Sequence, residues 1–595
     1  MASSSGAASD PFEFFKNESS NADAVIRTEA MNKIIIILAV LGPEKSRDLM
    51  VPYLETKIGD LDQVLLAMSQ KLGDFVPYIG GPEHTPCLIP LLELLCGIEE
   101  TTVRVAACGS ISKILLQLTP ESSYRTQAVA YFDLFSRLSN TEDEGATEIF
   151  CSRVSAAYVL PETYKVLPPE LQAQLLETFS NKLLGDDMAI VKRAAANSFL
   201  RTLSYCADPK KKQEEFLEMF KKILADENPT VKLIGIESLS TYAMELKEIG
   251  AMQVLTTEIL PLVKAATEDP SWTVRKTIAH KFGRFAKTFT ATEVTEEVFP
   301  GLINLIQDQE PDVRTLALKE MLAYLEPVGA THYLSVFVPK AVQLVDDPMS
   351  DSRKILTLLL IDVAAKVGAV AVAQHLSDLI MRLTVDEDPL VRLRVLQRLD
   401  LVAEEAPSLC TRLTEPLKTM FGDSNWRVRK QAALAAPGIM RSMGKEYLMQ
   451  HFLPDLLKLL HDGVDEVRTA ATTSLPKIAA IGGTEWAYEA IFPAIRSMAN
   501  SEFLVRLSML TALQGLIESN LAGSFQSEAL ALLVATTNDK VPNVRLRAAQ
   551  VLGAACVAVG PENARAQIRP VLSALQTDKD RDVVFFATES MKLCA

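Results

Sequence analysis

The sequence has no apolar run of the length that crosses a membrane. Ile34–Leu41 is far shorter than the roughly 20 residues that a spanning helix needs. The longer stretch 356–373 carries Asp362 and Lys366. Residues 1–10 are small and polar and lack the apolar centre of a secretory signal peptide. The sequence therefore predicts neither a membrane contact nor a secreted protein.

Clustered positive charge is also missing. The chain has 60 basic and 75 acidic residues, for a net charge of −15, and the basic residues are spread along its whole length. Binding to nucleic acid needs a concentrated basic face that displaces counterions, so no nucleic-acid partner is expected. The eight cysteines show no even spacing, which favours a reducing compartment, cytoplasmic and also nuclear.

Motifs for catalysis are absent from the sequence. No glycine-rich phosphate loop or nucleophile elbow occurs, and Gly444-Lys445 lacks both the upstream glycine and the following Ser or Thr. The six histidines are scattered, with no recurrent acid or nucleophile beside them. We expect a protein that is not an enzyme and that holds no cofactor.

Two clusters leave a metal-binding alternative open. One contains His84 and Cys87, followed by Cys96 and Cys108, but its spacing matches no zinc finger, and thiols on apolar helix faces also pack as small hydrophobes. The other, Asp578, Asp580 and Asp582, resembles the first half of a calcium loop without its glycine and closing glutamate. We interpret the first cluster as packing and the second as a solvated turn, with no metal at either.

What the sequence does contain is a repeated pattern of proline, then aspartate, then Val-Arg, about every 39 residues. The basic position falls at Arg27, Arg104, Arg153, Lys192, Lys232, Arg275, Arg314, Arg353, Arg392, Arg429, Arg468, Arg506 and Arg545, with Leu66 and Val584 in the two remaining units. An acid stands six residues earlier in most units and a proline 13 or 14 residues earlier in many. A period of this length is typical of stacked helical repeats.

Each unit is predicted to be an antiparallel pair of helices. In the unit 292–324, apolar residues recur at helical spacing on both sides of the polar stretch 307–312. Neither helix can bury its apolar stripe alone, so neighbouring pairs must stack. No linker interrupts the register, and we therefore predict an all-α fold, a single α-solenoid (superhelix) of about fifteen repeats over residues 11–595, after a disordered tail at 1–10.

Three further expectations concern the repeated residues. The recurrent proline, such as Pro300, should bend the first helix. The acid and the arginine should form a ladder along the stack, although a basic binding stripe is the alternative for the arginines. Asp312, Asp351 or Asn543 should cap the second helix by accepting its free N–H groups. With the arginine of each unit matched to its own acid, the ladder is the simpler interpretation.

The turn between the two helices of each pair is the surface left free for binding. A rigid scaffold commonly presents its binding residues on such loops. Trp272 and Trp426 both stand three residues before the repeat arginine, and tryptophan is prominent among residues that dominate binding energy. We interpret both as partner contacts, with packing against a neighbouring repeat as the alternative. Trp486 begins a first helix and is expected to be a packing residue.

Specific strings in the sequence also resemble a known family. Unit by unit the chain looks like a HEAT-repeat protein, and it is similar to the scaffold (65-kDa regulatory A) subunits of protein phosphatase 2A. The strings are LDQVLLAMSQKLG at 61–73, GGPEHTPC at 80–87, EETTVR at 99–104, EDPSWTVRKTIAHKF at 268–282, NWRVR at 425–429 and GTEWA at 483–487. The resemblance covers residues 11–595.

The resemblance implies a non-catalytic scaffold that is monomeric within a heterotrimer. The phosphatase catalytic subunit would lie on repeats 11–15, and an interchangeable regulatory B-type subunit on about repeats 2–8. The residues implied for the catalytic subunit are Trp426, Arg427, Phe503, Leu504 and Asn543. The residues implied for the regulatory subunit are Glu100, Asp187, Arg193, Ser271 and Trp272.

The chain departs from the family pattern at three places, which bear on the regulatory contacts more than on the catalytic ones. Ala189 stands where a proline is usual, Thr273 stands where an arginine is usual, and repeat 4 is lengthened around the acidic residues 142–144. The alternative function is a nuclear transport receptor or another HEAT-repeat adaptor. Its repeats would be more numerous and less regular, which the near-constant spacing argues against.

Overall fold

A computed structural model of the chain describes residues 10–118, 124–140, 150–399, 406–519 and 524–594. Regular structure in these ranges is entirely helical, which confirms the all-α fold class. The helices form two compact units, Met1–Thr290 and Ala291–Ala595. The expected tail, apart from Asp10, and the acidic residues 142–144 lie outside the described ranges. The single solenoid over 11–595 stays a prediction.

The repeat register reappears as a series of second helices. The basic position, or its Leu66 or Val584 equivalent, lies in the first turns of one such helix in all fifteen repeats, and it is the fourth helical residue in all but the second. In the first unit these helices are Ala24–Asn32, Asp62–Leu72, Thr101–Leu115, Phe150–Val166, Ala189–Tyr205, Pro229–Glu248 and Trp272–Ala279. In the second unit they are Pro311–Glu320, Ser350–Val367, Pro389–Gln397, Trp426–Met443, Asp465–Gly482, Phe503–Glu518, Pro542–Val559 and Arg581–Leu593.

The first helix of each pair is more often broken into pieces. In the first unit the corresponding segments are Pro11–Ser19, Pro43–Lys45 with Val51–Glu55, Ile89–Cys96, Arg125–Leu138, Pro169–Thr178, Pro209–Gln213 with Glu215–Ala225, and Met252–Val254 with Leu260–Thr267. In the second unit they are Ala291–Glu293 with Phe299–Leu305, Ala330–Leu344, Ala369–Ala371 with Ser377–Thr384, Pro407–Met420, Lys445–His451 with Leu453–Lys458, Thr484–Ala490 with Phe492–Met498, Ser524–Ala535, and Pro561–Asn563 with Arg569–Leu575.

Within each unit the second helices pack side by side. Trp426–Met443 packs against Asp465–Gly482, and Pro542–Val559 packs against Arg581–Leu593. Gly444 and Gly483 follow two of these helices with φ of 90° and 87°, a conformation that a residue with a Cβ adopts at a cost. Gly444 therefore ends a helix, which accounts for it without a phosphate site.

The sequence predicts that the recurrent proline bends the first helix in every repeat, and in several repeats a wide turn precedes it there. Val294–Val298 is a π-helical turn, and the N–H of Phe299 bonds to the carbonyl of Val294 five residues earlier, immediately before Pro300. The same wide turn precedes Pro52, Pro261 and Pro570. Because proline has no N–H, the regular ladder loses a donor there, and a wider turn accommodates the loss. Pro339 and Pro416 instead lie inside continuous helices.

The repeat arginines form the expected ladder, but with a different carboxylate. Most of the basic side chains reach the acid of the following repeat, whereas Arg468 bonds to Asp465 and Ser508. The Nη1 of the arginine commonly donates to the main-chain carbonyl of its own repeat's acid, as Arg314 does to Asp308. The pairs, at 2.5–2.8 Å, are Arg27–Asp60, Arg153–Asp186, Lys192–Asp226, Lys232–Asp269, Arg314–Asp347, Arg353–Asp386, Arg392–Asp423, Arg429–Asp462, Arg506–Asp539 and Arg545–Asp578. The expectation that each arginine pairs with the carboxylate of its own acid was wrong.

Helix capping also differs from the prediction. Asp312, Asp351 and Asn543 are the second residues of their helices and cannot cap them. The capping position lies four residues before the repeat arginine, where Asn228, Asp388, Asn425 and Asp580 accept backbone N–H groups of the first turn. The helix starts earlier than expected because the aspartate of the ladder shortens the turn. Its carboxylate accepts from the backbone N–H two residues later in the chain, as the carboxylate of Asp423 does from Asn425.

One pairing was not foreseen from the sequence. Cys556 and Cys594 are joined as a disulfide between the last two second helices, Pro542–Val559 and the end of Arg581–Leu593. Their separation of 38 residues is close to one repeat, so the two side chains occupy equivalent places on neighbouring helices. The remaining six cysteines are free thiols, five of them buried. The pair Cys96 and Cys108 is among the buried ones, which supports the packing interpretation.

The ladder predicts a specific response to acid. Burial by itself would raise the pKa of Asp539, but the Arg506 guanidinium and the N–H of Val541 outweigh it and hold that pKa below its ordinary 3.8. A carboxylate with a lowered pKa in the folded state stabilises the fold fully above its ordinary pKa, and this contribution is lost as the pH falls through the lowered value. As the pH is lowered below about 4, the melting temperature of the wild type should decrease more steeply than that of the double variant Arg506→Met/Asp539→Leu. Parallel melting profiles, followed by circular dichroism, would contradict this.

Candidate protein-binding ridge

We define the intra-repeat ridge as the row of turns from six residues before each repeat arginine up to that arginine. Every residue proposed as a partner contact lies on it or within one residue of it. Asp187 and Arg193 flank Lys192, and both side chains are exposed. Asn543 is two residues before Arg545 and is also exposed. The ladder holds the ridge because each rung ties one turn to the next by a charge-assisted bond.

Aromatic residues occupy one position of the ridge in four repeats, in one of them as Phe150. Trp272, Trp426 and Phe503 are each the first residue of a second helix, three residues before the repeat arginine. Proline takes this place in four other repeats, at Pro229, Pro311, Pro389 and Pro542. Proline suits the first helical turn because its missing N–H would have no partner there. An aromatic ring has no such backbone role, so its presence needs another explanation.

The two tryptophans are held by cations on their own helices. The Arg427 guanidinium carbon lies 4.6 Å from the Trp426 ring centroid, and Lys276 Nζ lies 5.4 Å from that of Trp272. Trp272 is 42% exposed, and Trp426 is half-buried. Each ring is thus oriented at the surface instead of folded into the core, and cation–π contact fixes the orientation. Neither observation tests partner binding, which stays a prediction.

Trp486 behaves differently, as expected from the sequence. Its indole Nε1–H donates to the sulfur of Met449 in the preceding repeat, at 2.8 Å. A Cβ at Gly482 would lie only 2.1 Å from the ring, so that glycine leaves room for it. This tryptophan is a packing residue between repeats.

The other proposed contacts divide between exposed side chains and a cap. Phe503 and Leu504 are 41% and 44% exposed, which places two apolar side chains together on the ridge of repeat 13. Glu100 caps its helix by accepting from the N–H of Thr102 at 3.2 Å, and this bond lowers the pKa of the carboxyl. Ser271 bonds to the Thr273 hydroxyl at 2.7 Å. Glu100 and Ser271 therefore have local structural roles that do not depend on a partner.

The proposed contacts separate cleanly between the two units. The five residues implied for a regulatory subunit lie in Met1–Thr290, and the five implied for the catalytic subunit lie in Ala291–Ala595. Further exposed apolar residues on the ridge, among them Ile190, Met349 and Leu390, were not predicted from the sequence, and the exposed Val385 lies one residue before it. An apolar residue at a turn position that is polar in other repeats is the signal that could have identified them.

Notches between neighbouring turns add concave surface to the ridge of the second unit. One of about 840 Å³ lies beside Arg545 and is lined by Asp539, Asp578 and Pro570. Another of about 580 Å³ lies beside Arg429 and Asp462. Burial by itself would raise the pKa of Asp462, but the Arg429 guanidinium outweighs it and lowers that pKa. Each notch is thus lined by one ion pair of the ladder, Arg545–Asp578 in the first and Arg429–Asp462 in the second.

The described ranges hold no metal-binding cluster and no membrane-spanning helix. No cluster of three or more His, Cys, Asp or Glu side chains with metal-binding geometry occurs there. Among the described helices, none combines the length and apolar character required to cross a bilayer.

Sequence comparison identifies relatives of one kind. The chain is 29% identical to the PP2A protein phosphatase regulatory protein of the A type from Schizosaccharomyces pombe, over 48% of this chain and 46% of that protein. It is 35% identical to the alpha isoform of the 65 kDa regulatory A protein of serine/threonine-protein phosphatase 2A from Arabidopsis thaliana, over 32% of this chain and 30% of that one. The chain is a homologue of the phosphatase 2A regulatory A subunits. The human beta isoform is 34% identical over 31% of the chain.

These matches cover only part of this chain and of each relative. The matched region spans about half or less of the length of each of these relatives. No protein-family model matches the chain. Partners and activity therefore stay proposals.

Structural comparison supports the fold. Yeast importin-β (Kap95p) superposes with a TM-score of 0.61 over 98% of this chain and 77% of its own, at 13% identity. Kap121p bound to Pho4p gives a TM-score of 0.63 over 92% of this chain and 57% of its own, at 14% identity. At such low identity the likeness shows a shared helical-repeat fold and nothing about cargo or transport.

Proposed function

We propose that this chain is the non-catalytic scaffold of a phosphatase 2A-type Ser/Thr phosphatase. The ridge of repeats 11–15 holds the catalytic subunit, and the ridge of about repeats 2–8 holds an interchangeable regulatory subunit. The observation that carries the proposal is the homology to proteins named as regulatory or scaffold subunits of phosphatase 2A. The oriented aromatics Trp272 and Trp426, one in each unit, support it from the structure.

A scaffold of this kind acts by raising the effective concentration of one bound subunit around the other. Two subunits held on one body meet at an effective concentration set by their geometry, so a substrate selected by one is presented to the other. The chain then takes part as one copy in a heterotrimer, in the cytoplasm and the nucleus. The homology favours this function over a nuclear transport receptor, for which the shared fold is the sole support.

The proposal is tested by phosphatase assay of the purified full chain. By itself the chain should release no phosphate from phosphopeptides. When the chain is supplied with both a regulatory subunit and the catalytic partner, dephosphorylation of a peptide that the regulatory subunit recognises should exceed that of the two partners without the chain. Turnover by the chain alone, or an addition that changes nothing, would overturn the proposal.

A further inference from the structure

The neighbouring turns of repeats 9 and 10 expose three apolar side chains, one of which lines a notch between the turns. Met349, Val385 and Leu390 are 45%, 63% and 40% exposed. Val385 belongs to the wall of a notch of about 440 Å³, which Arg353 and Asp386 also line. We call residues 345–354 and 382–390 the repeat 9–10 patch. Grouped exposed apolar side chains beside a concavity are typical of binding surfaces, whereas scattered ones are not.

The two turns of the patch are held together before any partner arrives. Arg353 Nε lies 2.7 Å from the Asp386 carboxylate, and Arg353 Nη1 donates to the Asp347 carbonyl at 2.6 Å. The Asp347 carboxylate accepts from the N–H of Met349 at 2.8 Å, which fixes the first turn. Because these bonds are formed in the free chain, a ligand needs to order little of the surface on binding.

The patch carries an excess of accessible negative charge. The patch contains six carboxylate side chains and three cationic side chains. Two of those cations are withdrawn from solvent: the side chain of Arg353 is 7% exposed, and Lys354, at 14%, is bound to Asp351 and Asp388. The carboxylates of Glu387 and Asp351 are 89% and 72% exposed. A partner that places cations beside an apolar side chain complements this surface.

We propose that the repeat 9–10 patch is a docking site for a protein segment that presents an apolar side chain flanked by lysine or arginine. The apolar side chain packs between Met349, Val385 and Leu390, and the flanking cations meet Glu387 and Asp351. Along the chain, the patch falls between the two ridges of the proposed scaffold function and belongs to neither. It is therefore a third contact surface.

The test uses the full chain and a short fluorescein-labelled peptide of alternating leucine and lysine. Fluorescence anisotropy should show binding that the double variant Val385→Ser/Leu390→Ser weakens by at least about fivefold, because apolar surface is no longer buried. The matched control is Val370→Ser/Val557→Ser, which removes side chains that are 71% and 77% exposed but lie outside the ridge. Glu387→Gln should weaken binding and reduce its salt dependence, whereas Glu485→Gln, in another repeat, should do neither.

Each other outcome overturns the proposal. Equal losses in the patch and control variants would mean that the peptide adheres to any exposed apolar residue. Equal binding of a leucine–glutamate peptide would remove the charge argument. A dimer in light scattering that Val385→Ser/Leu390→Ser disrupts would assign the patch to a second copy of the chain. Loss of a phosphatase catalytic subunit from the patch variant would make the surface part of the proposed catalytic ridge, while the scaffold function itself would stand.

Discussion

Replacing Arg314 by alanine should destabilise the second unit by about 3 kcal/mol, because a buried ion pair that loses one partner leaves the other charge uncompensated. Arg314 Nε and Nη2 lie 2.7 and 3.0 Å from the two oxygens of Asp347, whose side chain is only 3% exposed. The substitution also removes the bond to the Asp308 carbonyl. The effect should be greatest where Pro311–Glu320 packs against Ser350–Val367.

The matched control for this variant is Arg382→Ala. Arg382 pairs with Asp346, but the two side chains are 44% and 71% exposed, and an exposed pair contributes about 1 kcal/mol or less. Thermal melting should separate the two variants, and amide hydrogen exchange should place the loss of Arg314→Ala in repeats 8 and 9. Equal melting temperatures would remove the structural role of the ladder.

Replacing Trp426 by alanine should weaken the affinity for the catalytic subunit by about thirtyfold, since a central aromatic contact is worth about 2 kcal/mol or more. The ring is half-buried and held by the Arg427 guanidinium at the first residue of its helix. Its removal deletes a surface anchor and leaves the core residues Val428 and Ala432 in place. Circular dichroism should therefore be unchanged.

The effect should be selective between the two units. Trp272→Ala should weaken binding of a regulatory subunit but leave the pair of scaffold and catalytic subunit intact. Phe14→Ala is the matched control, because Phe14 is 52% exposed but lies in repeat 1, outside both proposed ridges. Binding is measured by surface plasmon resonance with each subunit in turn. If both tryptophan variants bind both subunits at wild-type strength, the ridge is not the binding surface.

Most of the fold could be predicted from the repeat register. A period read from Arg314, Arg353 and their equivalents located every second helix to within about one turn, because each unit must place its apolar stripe against the next at the same height. The proline position likewise located the wide turn at Val294–Val298. Both features depend on local sequence repeated in identical surroundings, which a single sequence displays directly.

Other features depend on where neighbouring repeats meet, and the sequence does not show that. The partner of Arg314 is Asp347 because stacking brings the turn of the next repeat against it. The bond between Cys556 and Cys594 has the same origin. Of the candidate site, the tryptophans were identifiable from their shared position. The other contact residues came from resemblance.

If one chain holds two different subunits together, the assembled complex must have the summed mass of all three chains. The full chain is mixed with one regulatory subunit plus the phosphatase 2A catalytic subunit, and the product is analysed by size-exclusion chromatography with light scattering. We expect a single species with one copy of each of the three chains, which does not form when this chain is omitted. Mutually exclusive binding of the two subunits, or a complex of those two that forms equally well without the chain, would contradict it.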